Sequence, residues 1–304
     1  MHNQFYRNPS LKKISSEYDE TRQLFSRVKN NWNLLIRNFL SKNMGVSLTD
    51  GDYRHQIQIE ILPAFSEEFM QLIERNFPDL DFQEYFVLNR FMEQSFQAQP
   101  YIKDDNASFH LQQTIKHTKS ILQGFNLKDL TESIFQFLNP RYPDVFGCYF
   151  IGETKVEIYI FPIVLFSQLH GLDLESLIVK VLTHELAHAY NHIGRDKDGK
   201  YWKLFAKTDS YIAEGLAQYY TYNFLRHYQY KHYKLLETFE KTLKFQPDPY
   251  QVFKEWDTSM EEIYGAFIET RRNNYNKYAQ FLEVLNGSKG RISDRKSELN
   301  YSKI

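Results

Sequence analysis

The sequence predicts a mostly helical α+β protein with a small sheet. Three observations carry this. Apolar residues recur at three-to-four spacing over most of the 304 residues, whereas alternation is confined to a few short stretches. A composition that is 42% hydrophobic and 16% aromatic is rich enough to build a core for one large or two ordinary domains.

Taken in order, helices are expected at Ser15 to Leu40, Ser66 to Asn76, Phe82 to Gln97 and Ser108 to Gln123. One strand interrupts them, in "HQIQIEILP", where Ile57, Ile59 and Ile61 alternate with polar residues before Pro63. The character changes after "LNPRYPD" (Leu138 to Asp144), where two prolines break the helical pattern. "CYFIG" and "KVEIYIFP" then read as adjacent strands joined by the turn "GET". A helix follows from Leu174 to Ile193, with Asp173 as N-cap and Gly194 placed to end it. Two more are expected from about Asp209 to Phe239 and from Glu261 to Leu285. This gives a mainly helical region over 1–138, a chemistry-bearing domain over 139–285 and a polar tail over 286–304.

Charge and cysteine usage narrow the function classes. Lys+Arg 37 against Asp+Glu 38 leaves a net charge of -1, which asks for neither nucleic acid nor an anionic membrane. The single cysteine, Cys148, builds no intrachain disulfide and fits a reducing compartment. The N-terminal residues hold no signal-like apolar run, and no segment approaches the ~20 apolar residues of a spanning helix. The cytoplasm is the expected location.

The helix over Leu174 to Ile193 contains "THELAHAYNH". At 100° per residue, Lys180, Thr183, Ala187 and Asn191 share what reads as its wet face, and Glu185 points to the opposite, buried side. A buried carboxylate needs a partner, and a divalent cation with its water supplies one. Histidines at i and i+4, His184 and His188, are spaced roughly 6 Å along the axis, within reach of one ion. Glu185 would then serve as base for the water and not as a ligand.

A catalytic site of this kind uses three protein ligands and an open position. The third could be His192, Asp209 or Glu214. His192 lies roughly 12 Å along the axis from His184, too far to share an ion, and reads as a helix-end histidine. Glu214, in "DSYIAEGLAQYYT", is the better candidate, flanked by Ala213, Gly215 and Ala217 with almost no side-chain volume. A glycine inside a helix is costly unless close approach requires it. Asp209 keeps a smaller share as ligand and reads rather as a group at the N-terminus of that helix or one standing behind the ligands. Two imidazoles and one carboxylate suit zinc, one Zn2+ per chain, better than magnesium or calcium, while the same donor set also admits iron or manganese.

His184-Glu185-x-x-His188 with the later "AEGLAQYY" resembles the gluzincin (thermolysin-like) zinc metallopeptidases. The likeness covers about Arg141 to Leu285. It implies a zincin-like domain, His184, His188 and Glu214 as zinc ligands, and Glu185 as general base. It further implies a peptide or protein substrate pairing along "KVEIYIFP" as the strand at the cleft edge. Three departures mark a divergent branch. Gln218 stands where these enzymes often place an aspartate that orients a zinc histidine. The separation between His188 and Glu214 is longer, and no G-x-M-E-N-like segment precedes the motif.

An oxyanion donor is also needed, and Tyr264 in "EEIYGAFIETRR" is the first choice among 22 tyrosines, with His227 and His232 behind it. "RHYQYKHYK" interleaves basic and aromatic residues but reads as the amphipathic end of a helix, and "DKDGK" reads as a turn without the later ligands of a calcium loop. His110 and His117 read as ordinary helix residues. The expectation is a zinc metallopeptidase. Its rival is a metal-binding regulatory or interaction protein of the same fold with little or no peptidase activity.

Overall fold

A computed structural model describes residues 18–48, 57–62 and 146–288. The helices expected over Ser66 to Gln123, the boundary at Leu138 to Asp144, the C-terminal tail from 289 on, and His110 and His117 lie outside the described residues. These residues form a mostly helical α+β structure with one three-stranded sheet. They divide into two units, one holding 18–23 and 159–171, the other 24–48, 57–62, 146–158 and 172–288. No helix among them is long and apolar enough to cross a membrane.

The first described helix, α1 (Tyr18–Met44), buries Phe25, Val28, Trp32, Ile36, Phe39, Leu40 and Met44, a three-to-four spacing that defines one face. Trp32 Nε1 donates to Glu175 Oε1 at 3.1 Å, and Arg37 donates to the Ile57 carbonyl at 2.8 Å. Phe39 meets Phe224 edge-on at 5.4 Å. From Leu24 onward this helix therefore belongs to the unit that carries the histidine helix.

The sheet has the order β1 (Gln58–Leu62), β3 (Lys155–Tyr159), β2 (Gly147–Phe150). β2 and β3 pair antiparallel from Gly147↔Ile158 to Phe150↔Lys155, and the turn between them uses Thr154 at φ 49. Two expectations change here. "KVEIYIFP" stops being a strand at Tyr159, because α2 (Ile160–Leu169) begins there and takes Pro162 in its first turn, where a missing N–H costs nothing. β3 is also the central strand, so it cannot be a cleft edge; β2 and β1 are terminal among the described residues.

α3 (Leu174–Ile193) starts as the sequence predicts, with the Asp173 carboxylate accepting from Ser176 N at 2.9 Å. The expected wet face does not exist. Every residue from Ser176 to Asn191 is buried, Lys180 at 2% exposure among them, because β2, α4 (Ser210–Tyr228) and α5 (Lys234–Leu243) pack around the helix. Thr183 satisfies its hydroxyl on its own backbone, donating to the Val179 carbonyl at 2.7 Å. Gly194 ends the helix, but at φ -55 and not in the left-handed conformation. Its reason is space: a Cβ there would meet the Tyr190 carbonyl oxygen at 2.5 Å and Val46 Cγ2 at 2.7 Å.

The two later helices are each broken in two. Residues 229–233 separate α4 from α5. α6 (Asp248–Gln251) and a 3-10 turn (Val252–Trp256) follow. Then α7 (Met260–Arg272), opened by a Ser259–Glu262 capping box, is separated from a last helix, α8 (278–288), by a turn with Asn274 at φ 54.

Candidate metal centre

Three side chains from two helices converge. His184 and His188 share a face of α3, and Glu214 comes from the second turn of α4, whose N-cap is Asp209, accepting from Tyr211 N at 3.0 Å. His184 Nε2 lies 3.1 Å from Glu214 Oε2 and 3.1 Å from His188 Nε2, and His188 Nε2 lies 3.3 Å from the same carboxylate oxygen. No other set of three such groups close enough to hold one metal ion occurs among the described residues.

Gly215 explains how α4 reaches this position. A Cβ at Gly215 would meet Trp256 Cζ2 at 2.7 Å and Val252 Cγ1 at 2.8 Å, so the absent side chain lets the 3-10 turn lie against α4 beside Glu214. The cost of a helical glycine is offset by close approach, as the sequence suggests.

The triangle fits a tetrahedral cation. Ligand bonds of about 2.0–2.1 Å to zinc put neighbouring ligand atoms about 3.3 Å apart, close to the edges observed here. Protons alone fit poorly. Two neutral imidazoles have one N–H each, and if both Nε2 atoms donate to Glu214 they confront each other as donors at 3.1 Å. A cation bound by three lone pairs removes that conflict.

The electrostatics leave two of the candidate ligands in the forms that a metal would need. Burial holds the His184 imidazole down at about 4, against its hydrogen bond to the Glu214 carboxylate and that carboxylate's charge, with the charges of His188 and buried Lys180 acting in the same direction as burial. Burial pushes the Glu214 carboxyl up, but His188 and His184 outweigh it and keep it well below the usual carboxylate range. A neutral imidazole and an ionised carboxylate are what a metal needs.

Glu185, 2% exposed, lies on the neighbouring face of α3 under β2. A Cβ at Gly147 would stand 3.0 Å from Glu185 Cγ. Tyr149, two residues further along the strand, donates to or accepts from His192 Nδ1 at 3.0 Å, and His192 also stacks on Phe205 at 5.3 Å. His192 is thus a helix-end histidine holding β2 and not a third ligand.

The remaining candidates lie elsewhere. Tyr264 is 39% exposed, with its ring over Gly45. His227 packs on Phe39, and His232 joins Asp173 at 3.4 Å and Ser176 at 3.3 Å at the start of α3. Cys148 is half-buried on β2. "DKDGK" is a turn: Asp196 accepts from the backbone N–H groups of Asp198 and Lys200, and Arg272 takes both aspartates. Two aromatic residues from other segments pack on the cluster: Phe205 lies against His188 with centroids 6.2 Å apart, and Tyr250, which sequence reasoning missed, stacks on His184 with centroids 5.5 Å apart and planes at 19°. No local signal distinguishes it from the other tyrosines. Comparison with protein-family models, curated proteins and solved structures found no match to this chain.

Proposed function

We propose that the chain is a zinc-dependent metallopeptidase with a zincin-like fold, of the gluzincin kind, acting on peptide or protein substrates in the cytoplasm. The observation that carries the reading is the closed triangle of His184, His188 and Glu214 with Glu185 on the same helix, one residue from the first ligand. A zinc ion held by those three side chains supplies a Lewis acid that polarises a carbonyl and brings the pKa of a water to about 7.

The chain's own residues do the rest. Glu185 takes the proton of the attacking water and returns it to the leaving nitrogen, a cycle suited to a carboxylate shielded from bulk solvent. The substrate's extended backbone pairs along β2, which is terminal in the sheet among the described residues and lies against Glu185. The Gly147 contact and the Tyr149–His192 hydrogen bond set that strand's height above α3.

The test has two stages. Elemental analysis of the tag-free chain beside Glu214→Ala should give about one zinc per chain in the first and a clear loss in the second. A fluorogenic peptide library should then be cleaved by the parent and left intact by Glu185→Gln, which keeps metal and fold. The second reading, a metal-binding regulatory or interaction protein, is favoured by the 3% and 6% exposures of His184 and His188. It requires bound zinc without turnover in either protein. A parent that takes up no zinc discards both.

A further inference from the structure

We propose that Tyr250 is the residue that holds the His184 imidazole in its ligating orientation, and that it does so through its ring and not its hydroxyl. The inference rests on reading the cluster as a metal centre. A metal-bound histidine ordinarily donates its second N–H to a carboxylate, a backbone carbonyl or water, which fixes the plane of the ring. Among the described residues His184 has no such partner: Nδ1 is buried and makes no hydrogen bond, while Nε2 faces Glu214 and His188. Gln218, one turn beyond Glu214, does not supply one. Its Nε2 donates to Gln246 Oε1 at 2.7 Å, and its Oε1, also buried, makes no hydrogen bond.

Two rings touch His184 instead. His188 meets it edge-on at 4.6 Å and 89°, and Tyr250 lies nearly parallel to it at 5.5 Å and 19°. The edge-on contact joins one ligand to another. The stacked contact comes from a separate segment, and a face-to-face neighbour resists rotation about the Cβ–Cγ bond because turning the ring drives its edge into the tyrosine.

That neighbour is itself anchored. Tyr250 sits on α6, a four-residue turn with Pro247 as its cap and Pro249 inside it, where two fixed φ angles leave little freedom. Tyr250 N donates to the Pro247 carbonyl at 3.0 Å, and Gln251 Nε2 donates to the Gln246 carbonyl at 2.8 Å. Gln246 is the residue Gln218 holds from α4. A line of contacts therefore runs from Gln218 through Gln246 and the proline turn to the Tyr250 ring and on to His184. Gln218 acts on the ligand at one remove, where an aspartate would act directly.

The experiment is zinc affinity of the full-length chain, measured by competition with a chromogenic zinc chelator. Parent, Tyr250→Phe, Tyr250→Leu and Tyr250→Ala are compared, with the Co2+-loaded visible spectrum as a second readout. Circular dichroism of the metal-free forms checks folding, and the leucine variant keeps volume without a π face should alanine loosen the turn. The expected result is parental affinity and spectrum for Tyr250→Phe, and affinity weaker by about 10- to 100-fold with an altered cobalt spectrum for Tyr250→Leu and Tyr250→Ala. Parental affinity in the leucine and alanine variants overturns the proposal. So does an equal loss in Tyr250→Phe, which would transfer the role to the hydroxyl. A parent that binds no zinc overturns the metal centre itself, which a normal parent beside unchanged variants does not.

Discussion

Gly147 of β2 lies so close to Glu185 of α3 that a Cβ on the glycine would stand 3.0 Å from the glutamate's Cγ, and 2.8 Å from the Glu157 carbonyl oxygen on the paired strand. The strand and the proposed general base therefore share one seat. Gly147→Ala has to move either the backbone of β2 or the Glu185 side chain. Misplacement of a reacting group by a fraction of an ångström to 1 Å costs on the order of 10- to 100-fold in rate. Peptide turnover is expected to fall by that amount while zinc content stays at the parent level, as steady-state kinetics beside elemental analysis will show.

If the cluster holds a metal as proposed, removing it should loosen the pairing of α3 with α4, since the three candidate ligands come from both helices. A ligand that binds only the folded state adds stability in proportion to the logarithm of its concentration over Kd. The chelated protein is expected to melt at a lower temperature, and zinc should restore the transition where calcium and magnesium do not. An unchanged melting temperature in a chain shown to have lost zinc would mean that the two helices are held entirely by their apolar packing.

At Gly215 helix propensity and packing pull in opposite directions. Alanine would gain up to about 1 kcal/mol as a helix former. Its Cβ would collide with Trp256 Cζ2 at 2.7 Å and Cη2 at 2.8 Å, within a closely packed wall. Overpacking of this kind costs about 1–3 kcal/mol, so Gly215→Ala should be net destabilising. Urea midpoints test this, and Gly215→Ala combined with Trp256→Leu should be less destabilised than the sum of the two single changes.

Acid should weaken the fold in part through His192. Burial, with Arg271 nearby, lowers its pKa from 6.5 to about 4. The unfolded chain therefore binds the proton more readily than the folded one. The contribution is complete above about pH 6.5 and is lost as pH falls through about 4. His192→Gln should flatten the dependence of unfolding free energy on pH across that window relative to the parent, because glutamine does not titrate. Parallel slopes in denaturant titrations at pH 7, 5.5 and 4.5 would remove His192 from the acid response.

Arg271 ties α7 to the segment after the histidine helix, donating through Nη2 to the carbonyls of Gly194 and Lys200 while 1% exposed. Burial lowers its pKa to about 10, which leaves it charged at neutral pH. Arg271→Met keeps much of the volume but abandons two carbonyls, at a cost of about 2–4 kcal/mol. Thermal unfolding of the metal-free chain provides the measurement, and a loss under about 0.5 kcal/mol, the range of an ordinary surface change, would show that the carbonyls find other partners.

Much of the site is legible before any coordinates because its signals are local. The i, i+4 spacing puts His184 and His188 on one helical face whatever surrounds the helix, Asp173 caps by a rule that involves only the next few residues, and Gly215 announces close approach by being costly where it stands. The wet face assigned to Lys180, Thr183 and Asn191 shows where this reading ends. Polar residues on a helical wheel imply solvent only if nothing covers them, and here Thr183 turns to its own backbone while neighbouring elements bury the whole face. The breaks at 229–233 and 273–277 were likewise hidden, since periodicity runs on across a short turn with little change of phase.

Sequence alone determined that the described residues are mostly helical, that one helix carries a paired-histidine motif with a buried glutamate beside it, and that Glu214 is the best of three possible partners, because each of these depends on interactions within a few residues or on side-chain chemistry. Tertiary structure alone decided that Glu214 meets both histidines, that β3 is central and β2 lies over Glu185, and that Tyr250 covers His184. Those facts are distances between segments far apart in the chain. They are set by which apolar faces bury one another and by where glycines permit close approach, and no local pattern encodes such a sum.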